Sequence, residues 1–247
     1  MKMSRFYQSS SLEIGEELQL SAANHRHAIQ VLRLKENDML ILFDGIEGEY
    51  YARLVYVDRR KSKVVLESFS AVNCESQLHS MMYIAMIKPE KMDFAIQKMV
   101  ELGVSIIQPM YTKRSIVKIK ANRLEKKMQH WQGIIISACE QSGRTKIPII
   151  NQPKIIEECL KDTDSGSSFV MLPGEYSGIL QQGKLDADKI SLFIGPEGGF
   201  TAEEEKLLLE EGVKPISFGK RILRAETAAI ASLTACQLKW GDLSTCQ

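Results

Sequence analysis

What most constrains this chain is a pair of strand–turn–helix joints set close together near its C-terminus. Apolar Ile190-Ser191-Leu192-Phe193-Ile194 reads as a short buried strand. It runs into Gly195-Pro196-Glu197-Gly198-Gly199-Phe200 and then Thr201-Ala202-Glu203-Glu204, a Thr-x-x-Glu box that opens a helix. The arrangement repeats from Val213 to Phe218, through Gly219 and a charged turn, into a helix predicted from about Thr227. A third turn, Pro173-Gly174-Glu175, follows strand-like Phe169-Val170-Met171-Leu172. Strands alternating with helices specify a parallel α/β sheet. Two readings fit the glycine turns, ordinary αβ connections or a ligand site. Arg224 and Glu226 favour the site, because open α/β sheets bind ligands in the crevice outside their strand ends.

The same pattern extends upstream. Met82 to Ile87 reads as a buried strand, and Met92, Ile96, Met99 and Leu102 mark one face of a helix closed by Gly103. Val104 to Tyr111 is strand-like. A long helix follows, with Asn122-x-x-Glu125 as its capping signal and Leu124, Met128, Trp131, Ile135 and Ala138 as its stripe. Pro153 to Leu160 reads as a helix and Asp162 to Ser168 as a surface loop. The final helix presents Ile230, Leu233 and Leu238 as a core or partner face. Residues 1–72 differ. Runs at Met39–Phe43, Tyr50–Val57 and Lys63–Leu66, separated by turn signals, suggest a compact β-barrel. His25 to Leu32 fits a short helix, and Ser70 to Ser80 reads as the linker.

Length and charge exclude several classes. At 247 residues the chain can bury a sizeable core as one large or two small domains. No apolar run approaches a membrane span, and the first residues lack a signal-peptide apolar region. Five scattered cysteines without a Cys-x-x-Cys, and four histidines without clustering, indicate neither a disulfide framework nor a metal site. The expectation is a cytoplasmic, reduced, metal-free protein. There is no Gly-x-x-x-x-Gly-Lys-Ser/Thr, and no Gly-x-Gly-x-x-Gly after a strand, which disfavours P-loop hydrolases and ordinary dinucleotide folds. The net charge of +1 hides segregation: Lys88 to Lys146 carries 12 Lys+Arg against 5 Asp+Glu, and Ile147 to Val213 carries 5 against 13. A basic segment of that kind suits nucleic acid as well as it suits a solvated face.

Gly195-Pro196-Glu197-Gly198-Gly199 taken with Leu223-Arg224-Ala225-Glu226-Thr227-Ala228 closely resembles the RsmE family of ribosomal RNA uridine methyltransferases, within the SPOUT superfamily. Arg5-Phe6-Tyr7, His27 with Val31-Leu32-Arg33, Asp44-Gly45, Glu101-Leu102-Gly103-Val104, Arg114-Ser115 and Ala138 to Arg144 extend the resemblance along nearly the whole chain. Lys35-Glu36-Asn37-Asp38 departs from it by lacking a glycine.

The resemblance implies a PUA-like RNA-binding β-barrel over 1–72. Over 73–247 it implies a SPOUT α/β domain with a mainly parallel sheet and a C-terminal trefoil knot, which no periodicity could reveal. It implies S-adenosylmethionine as cofactor. The binding residues would be Leu172, Pro173 and Gly174 from one turn, Gly195, Glu197, Gly198 and Gly199 from the second, and Ile216, Phe218, Gly219 and Leu223 from the third. The implied reaction is methylation of N3 of a uridine in small-subunit (16S) ribosomal RNA by a homodimer acting on an assembled subunit. Arg224 is the expected stabiliser of the uridinate, and Glu197 orders the cofactor loop or an arginine. Glu226 either assists proton removal or pairs with Arg221 or Arg224. Arg5, Arg33, Arg114 and Arg144 are the expected RNA contacts, with Phe6 a core anchor. The competing readings are a non-catalytic RNA-binding assembly factor and a small-molecule transferase.

Overall fold

The structure, a computed structural model, describes residues 3–161, 163, 167–185 and 188–244. Most of the loop predicted over Asp162 to Ser168 lies outside the described residues, as does Cys246. The chain divides into two compact units, Met1–Glu75 with Cys139–Ile147, and Ser76–Ala138 with Pro148–Gln247.

The first unit holds strands β1 (Arg5–Tyr7), β2 (Glu17–Gln19), β3 (Met39–Phe43), β4 (Glu49–Val57) and β5 (Ser62–Ser70). They form one sheet in the order β1-β3-β4-β5-β2, with β1 parallel to β3 and the other pairings antiparallel. Period-two alternation sends Leu40, Leu42, Ala52, Leu54, Val64 and Leu66 to one side, where they pack with fully buried Phe6. Phe6 is thus the core anchor its position suggested. Ser21 caps α1 (Ala22–His25) by accepting the Asn24 N–H at 3.1 Å, and the helix runs on through a π-helical turn, Arg26–Val31.

Residues 139–147 belong to this unit because its buried charges need them. The Arg5 guanidinium donates to Glu49 Oε2 at 3.0 Å, the Cys139 carbonyl at 2.9 Å and the Arg144 carbonyl at 3.2 Å. Glu140 accepts the Tyr7 N–H at 3.0 Å, and Arg144 donates to Glu75 Oε2 at 2.6 Å. Each of these groups finds its partner across a long sequence separation.

The second unit is the α/β layer. Its strands are β6 (His79–Ala85), β7 (Ile106–Tyr111), β8 (Ile149–Ile150), β9 (Lys154–Ile155), β10 (Ser167–Met171), β11 (Lys189–Ile194) and β12 (Lys214–Ile216). All pairings are parallel, in the order β12-β10-β11-β6-β7-β8, with β9 also on β7. Near-continuous apolar strands are what a sheet covered on both faces requires, and Tyr83 stacks on Phe193 at 4.3 Å between β6 and β11.

Among the helices, α2 (Pro89–Glu101) starts with proline at its first turn and buries Met92, Ile96 and Met99. Leu102 is its C-cap. Helix α3 (Ala121–Ser142) buries Trp131, Ile135 and Ala138, leaving Leu124 and Met128 partly covered. It begins at Ala121, so Asn122 lies inside the first turn instead of capping it. The stretch predicted as one helix from Pro153 splits into β9 and α4 (Ile156–Lys161). Thr201 and Glu204 form the predicted capping box on α5 (Ala202–Glu210). Helix α6 (Ala225–Trp240) starts with Arg224 as N-cap and puts Leu233 in the core. No helix among the described residues is long and apolar enough to cross a membrane.

Candidate active site

Strands β11, β10 and β12 lie side by side, so their carboxyl ends bring three turns to one place. Between the turns is a cavity of about 270 Å³. Its walls are Met171, Leu172, Ile194, Phe200 and Leu223, with small Ala225 and Ala228 of α6 at its base and backbone from Gly195 to Gly199 and from Ser217 to Gly219 around it. All the residues predicted for the cofactor line it except Gly174 and Ile216. The Ile216 carbonyl is instead engaged in the sheet, accepting the Leu172 N–H at 3.0 Å. Phe200, Arg221, Ile222 and the two alanines join the lining without having been anticipated. Phe200's place at the end of the glycine run, and the i, i+3 alanines at a helix start, are the only signals the sequence carries for them.

The glycine loop is built to stay in place. A Cβ on Gly195 would sit 3.0 Å from the Phe200 ring, so glycine there lets that ring fold back beneath the turn. Gly199 takes φ +70°, a left-handed backbone that closes the turn with its N–H donated to the Pro196 carbonyl at 2.9 Å. Arg114, from the loop after β7, donates through Nη1 to the carbonyls of Gly198 at 2.8 Å and Phe200 at 2.9 Å. Beside it the Lys113 N–H donates to Glu204 Oε1 at 2.7 Å, while Glu204 Oε2 accepts the Thr201 N–H at 2.9 Å.

A second, open recess of about 650 Å³ shares Ile222 and Leu223 with the cavity. Exposed Arg224 lines it together with Glu90, Lys91, Phe94, Glu226 and Thr227. Lys91 Nζ lies 3.7 Å from Glu197 and 3.6 Å from Glu226. The partner of Glu226 is therefore this lysine, not Arg221 or Arg224. Glu226 Oε2 is buried without a hydrogen-bond partner.

The arginines expected at RNA fall into three situations. Arg5 and Arg144, 9% and 6% exposed, have the internal partners described above. Arg114 holds the glycine loop. Arg33 is exposed on a left-handed backbone with φ 59°. Burial pushes the Cys139 thiol up to about 12, which leaves no thiolate at neutral pH and no nucleophile. Burial also raises the Glu140 carboxyl, partly offset by the Tyr7 N–H. No group of three or more His, Cys, Asp or Glu side chains suited to a metal occurs among the described residues.

A parallel sheet with three glycine-bearing turns over an apolar cavity, and beside it a recess lined by charges of both signs, has the layout of a small-molecule-dependent α/β enzyme. A model of the RNA methyltransferase domain matches residues 74–237, and one of the RNA methyltransferase PUA domain matches residues 20–67. The chain is 33% identical to the ribosomal RNA small subunit methyltransferase E of Buchnera aphidicola (from Schizaphis graminum), covering 98% of this chain and 99% of that one. It is 34% identical to the Rickettsia conorii protein of that name, over 96% of each. The solved Neisseria gonorrhoeae ribosomal RNA small subunit methyltransferase E, bound to S-adenosylmethionine, is 34% identical and superposes with a TM-score of 0.91, over 98% of this chain and all of that one. A Legionella pneumophila structure with the same cofactor is 36% identical, with a TM-score of 0.92 and the same coverage. The chain belongs to the ribosomal RNA small subunit methyltransferase E family.

Proposed function

We propose that this protein methylates N3 of a uridine in small-subunit ribosomal RNA, using S-adenosylmethionine bound between the three turns. The observation that carries the reading is the shared wall. One mainly apolar cavity and one wider recess with Arg224 meet at Ile222 and Leu223, as a donor and an acceptor that must touch would require. The residues present fit the cofactor: Ile194, Phe200 and Leu223 form apolar faces for a heterocycle, glycine backbone allows close approach, and Glu197 supplies negative charge opposite a cation. When bound, the cofactor offers a methyl group whose bond to sulfur breaks towards sulfur as the acceptor nitrogen takes it.

The chain's own residues supply position and charge. The Arg114 clamp fixes the glycine loop, so the cavity is formed before substrate arrives. The acceptor nitrogen loses its proton to water, and the Arg224 guanidinium faces the anion left on the ring. Arg33 contributes an exposed phosphate contact. The proposal extends to a homodimer and to knotted threading of the three turns, both implied by the family resemblance. Ribosomal RNA as substrate fits a cytoplasmic enzyme.

The test is tritiated methyl transfer to small subunits lacking the modification, with nucleoside analysis. Wild type should yield 3-methyluridine. Arg224→Ala should bind S-adenosylmethionine normally but turn over about 100- to 1,000-fold more slowly, the usual cost of losing one anion-stabilising donor. Tight RNA binding with no transfer would instead identify an assembly factor.

A further inference from the structure

We propose that Lys91 is the second cation facing the acceptor base, held in place by Glu197 and Glu226; this rests on the methyltransferase reading above. Lys91 stands in the first turn of α2 and lines the open recess with Arg224. Its ammonium is 3.7 Å from Glu197 and 3.6 Å from Glu226, beyond hydrogen-bond length, so both carboxylates attract it without claiming its N–H donors in hydrogen-bond geometry. With its side chain only 28% exposed, its charge is screened less than that of a fully solvated lysine.

The charge balance of the recess shows why a cation is needed at this point. Glu90, Glu197 and Glu226 all stand at or beside it, against Arg224 and Lys91. Without Lys91, an anionic ring would meet three carboxylates and one guanidinium. A uridine that gives its N3 proton to water keeps the lone pair as negative charge spread over N3 and its two carbonyl oxygens. Lys91 opposes that charge from the α2 side while Arg224 opposes it from the start of α6. The carboxylates play the positioning part: Glu197 ties the lysine to the cofactor loop, and Glu226 ties it to α6.

The test uses the full-length protein, small subunits lacking the modification, and Lys91→Met, Lys91→Arg and Lys91→Met/Glu226→Gln variants. Single-turnover rates are followed against pH, and S-adenosylmethionine binding is measured separately by calorimetry. Lys91→Met should slow transfer about 100-fold with cofactor affinity unchanged. Its rate should rise towards higher pH by about 1 unit, because the acceptor N–H becomes less acidic without the cation. Lys91→Arg should restore most of the rate. The double variant removes the unpaired carboxylate that the lysine substitution leaves, and it should stay slow. Recovery in the double variant, or parallel loss of cofactor affinity and rate with an unmoved pH profile, would overturn the proposal and reduce Lys91 to a structural tie. A wild type that makes no 3-methyluridine would sink the methyltransferase reading itself, a result distinct from either.

Discussion

Replacing Arg114 with alanine tests whether the cofactor cavity is organised from outside its own walls. The guanidinium bridges two carbonyls of the glycine loop, Gly198 at 2.8 Å and Phe200 at 2.9 Å. Hydrogen bonds to a charged donor contribute about 1.5–3 kcal/mol each when buried. One of these two is exposed to solvent, so the pair is discounted to about 2 kcal/mol in total. If that order is required for binding, the variant must supply it from cofactor affinity, and Kd for S-adenosylmethionine should rise about 30-fold. Isothermal titration calorimetry measures this directly, without RNA. Arg114→Lys should fall between the two proteins, since an ammonium keeps a charged donor but lacks the rigid planar guanidinium that aims Nη1 at both carbonyls. The competing idea is that Arg114 serves an RNA phosphate. Unchanged cofactor affinity, with loss confined to RNA binding and a shallower salt dependence, would refute the reasoning and leave the loop self-supporting.

Two further outcomes follow from buried charges. Glu75→Ala strips the carboxylate from Arg144, whose side chain is 7% exposed, and should cost about 3–5 kcal/mol in urea unfolding; a loss under about 1 kcal/mol would mean the pair behaves like a surface one. Asp93 accepts from His130 at 2.6 Å, Lys127 at 3.1 Å and the Trp131 indole N–H at 3.2 Å. Burial alone would raise its carboxyl, but the His130 and Lys127 contacts outweigh this and hold it below the usual carboxylate range. The folded pKa lies below the unfolded one, so the stabilisation is present above about pH 4 and is lost as pH falls through the lowered value. Asp93→Asn should therefore destabilise most near neutral pH, with the difference from wild type closing in acid. A difference independent of pH would exclude ionisation as its source.

Local signals survived into the structure wherever the local chain decides the outcome. Thr201 and Glu204 close their capping box, and the apolar runs at Phe169 and Ile190 become neighbouring strands that bring the turns together. Asn122 misled because a capping residue is defined by where the helix starts, and α3 starts at exposed Ala121, one residue earlier. The arginines were the least legible. Arg5 and Arg144 look alike in sequence to Arg33, but the partners that bury them lie 139 and 69 residues away. Lys91 stood out only as one member of the basic segment from Lys88 to Lys146, since the two carboxylates that define it come from the glycine turn and the start of α6. Pairings at such distance are set by the tertiary fold, and no window of sequence contains both ends.

That Cys139–Ile147 completes the first unit has a consequence for how the protein is made. As the chain leaves the ribosome, Arg5, Tyr7 and Glu75 emerge long before the carbonyls, carboxylate and guanidinium that satisfy them. At about 5–20 residues per second the wait from residue 75 to residue 147 is about 4–14 s. Through that interval Arg5 has Glu49 but not the Cys139 and Arg144 carbonyls, and Glu75 lacks Arg144, until all of α3 and the residues just after it are made. Cutting the gene at the apparent linker would make that provisional state permanent. The N-terminal fragment is therefore not a separable module, and it becomes whole only when residues from the middle of the chain return to it.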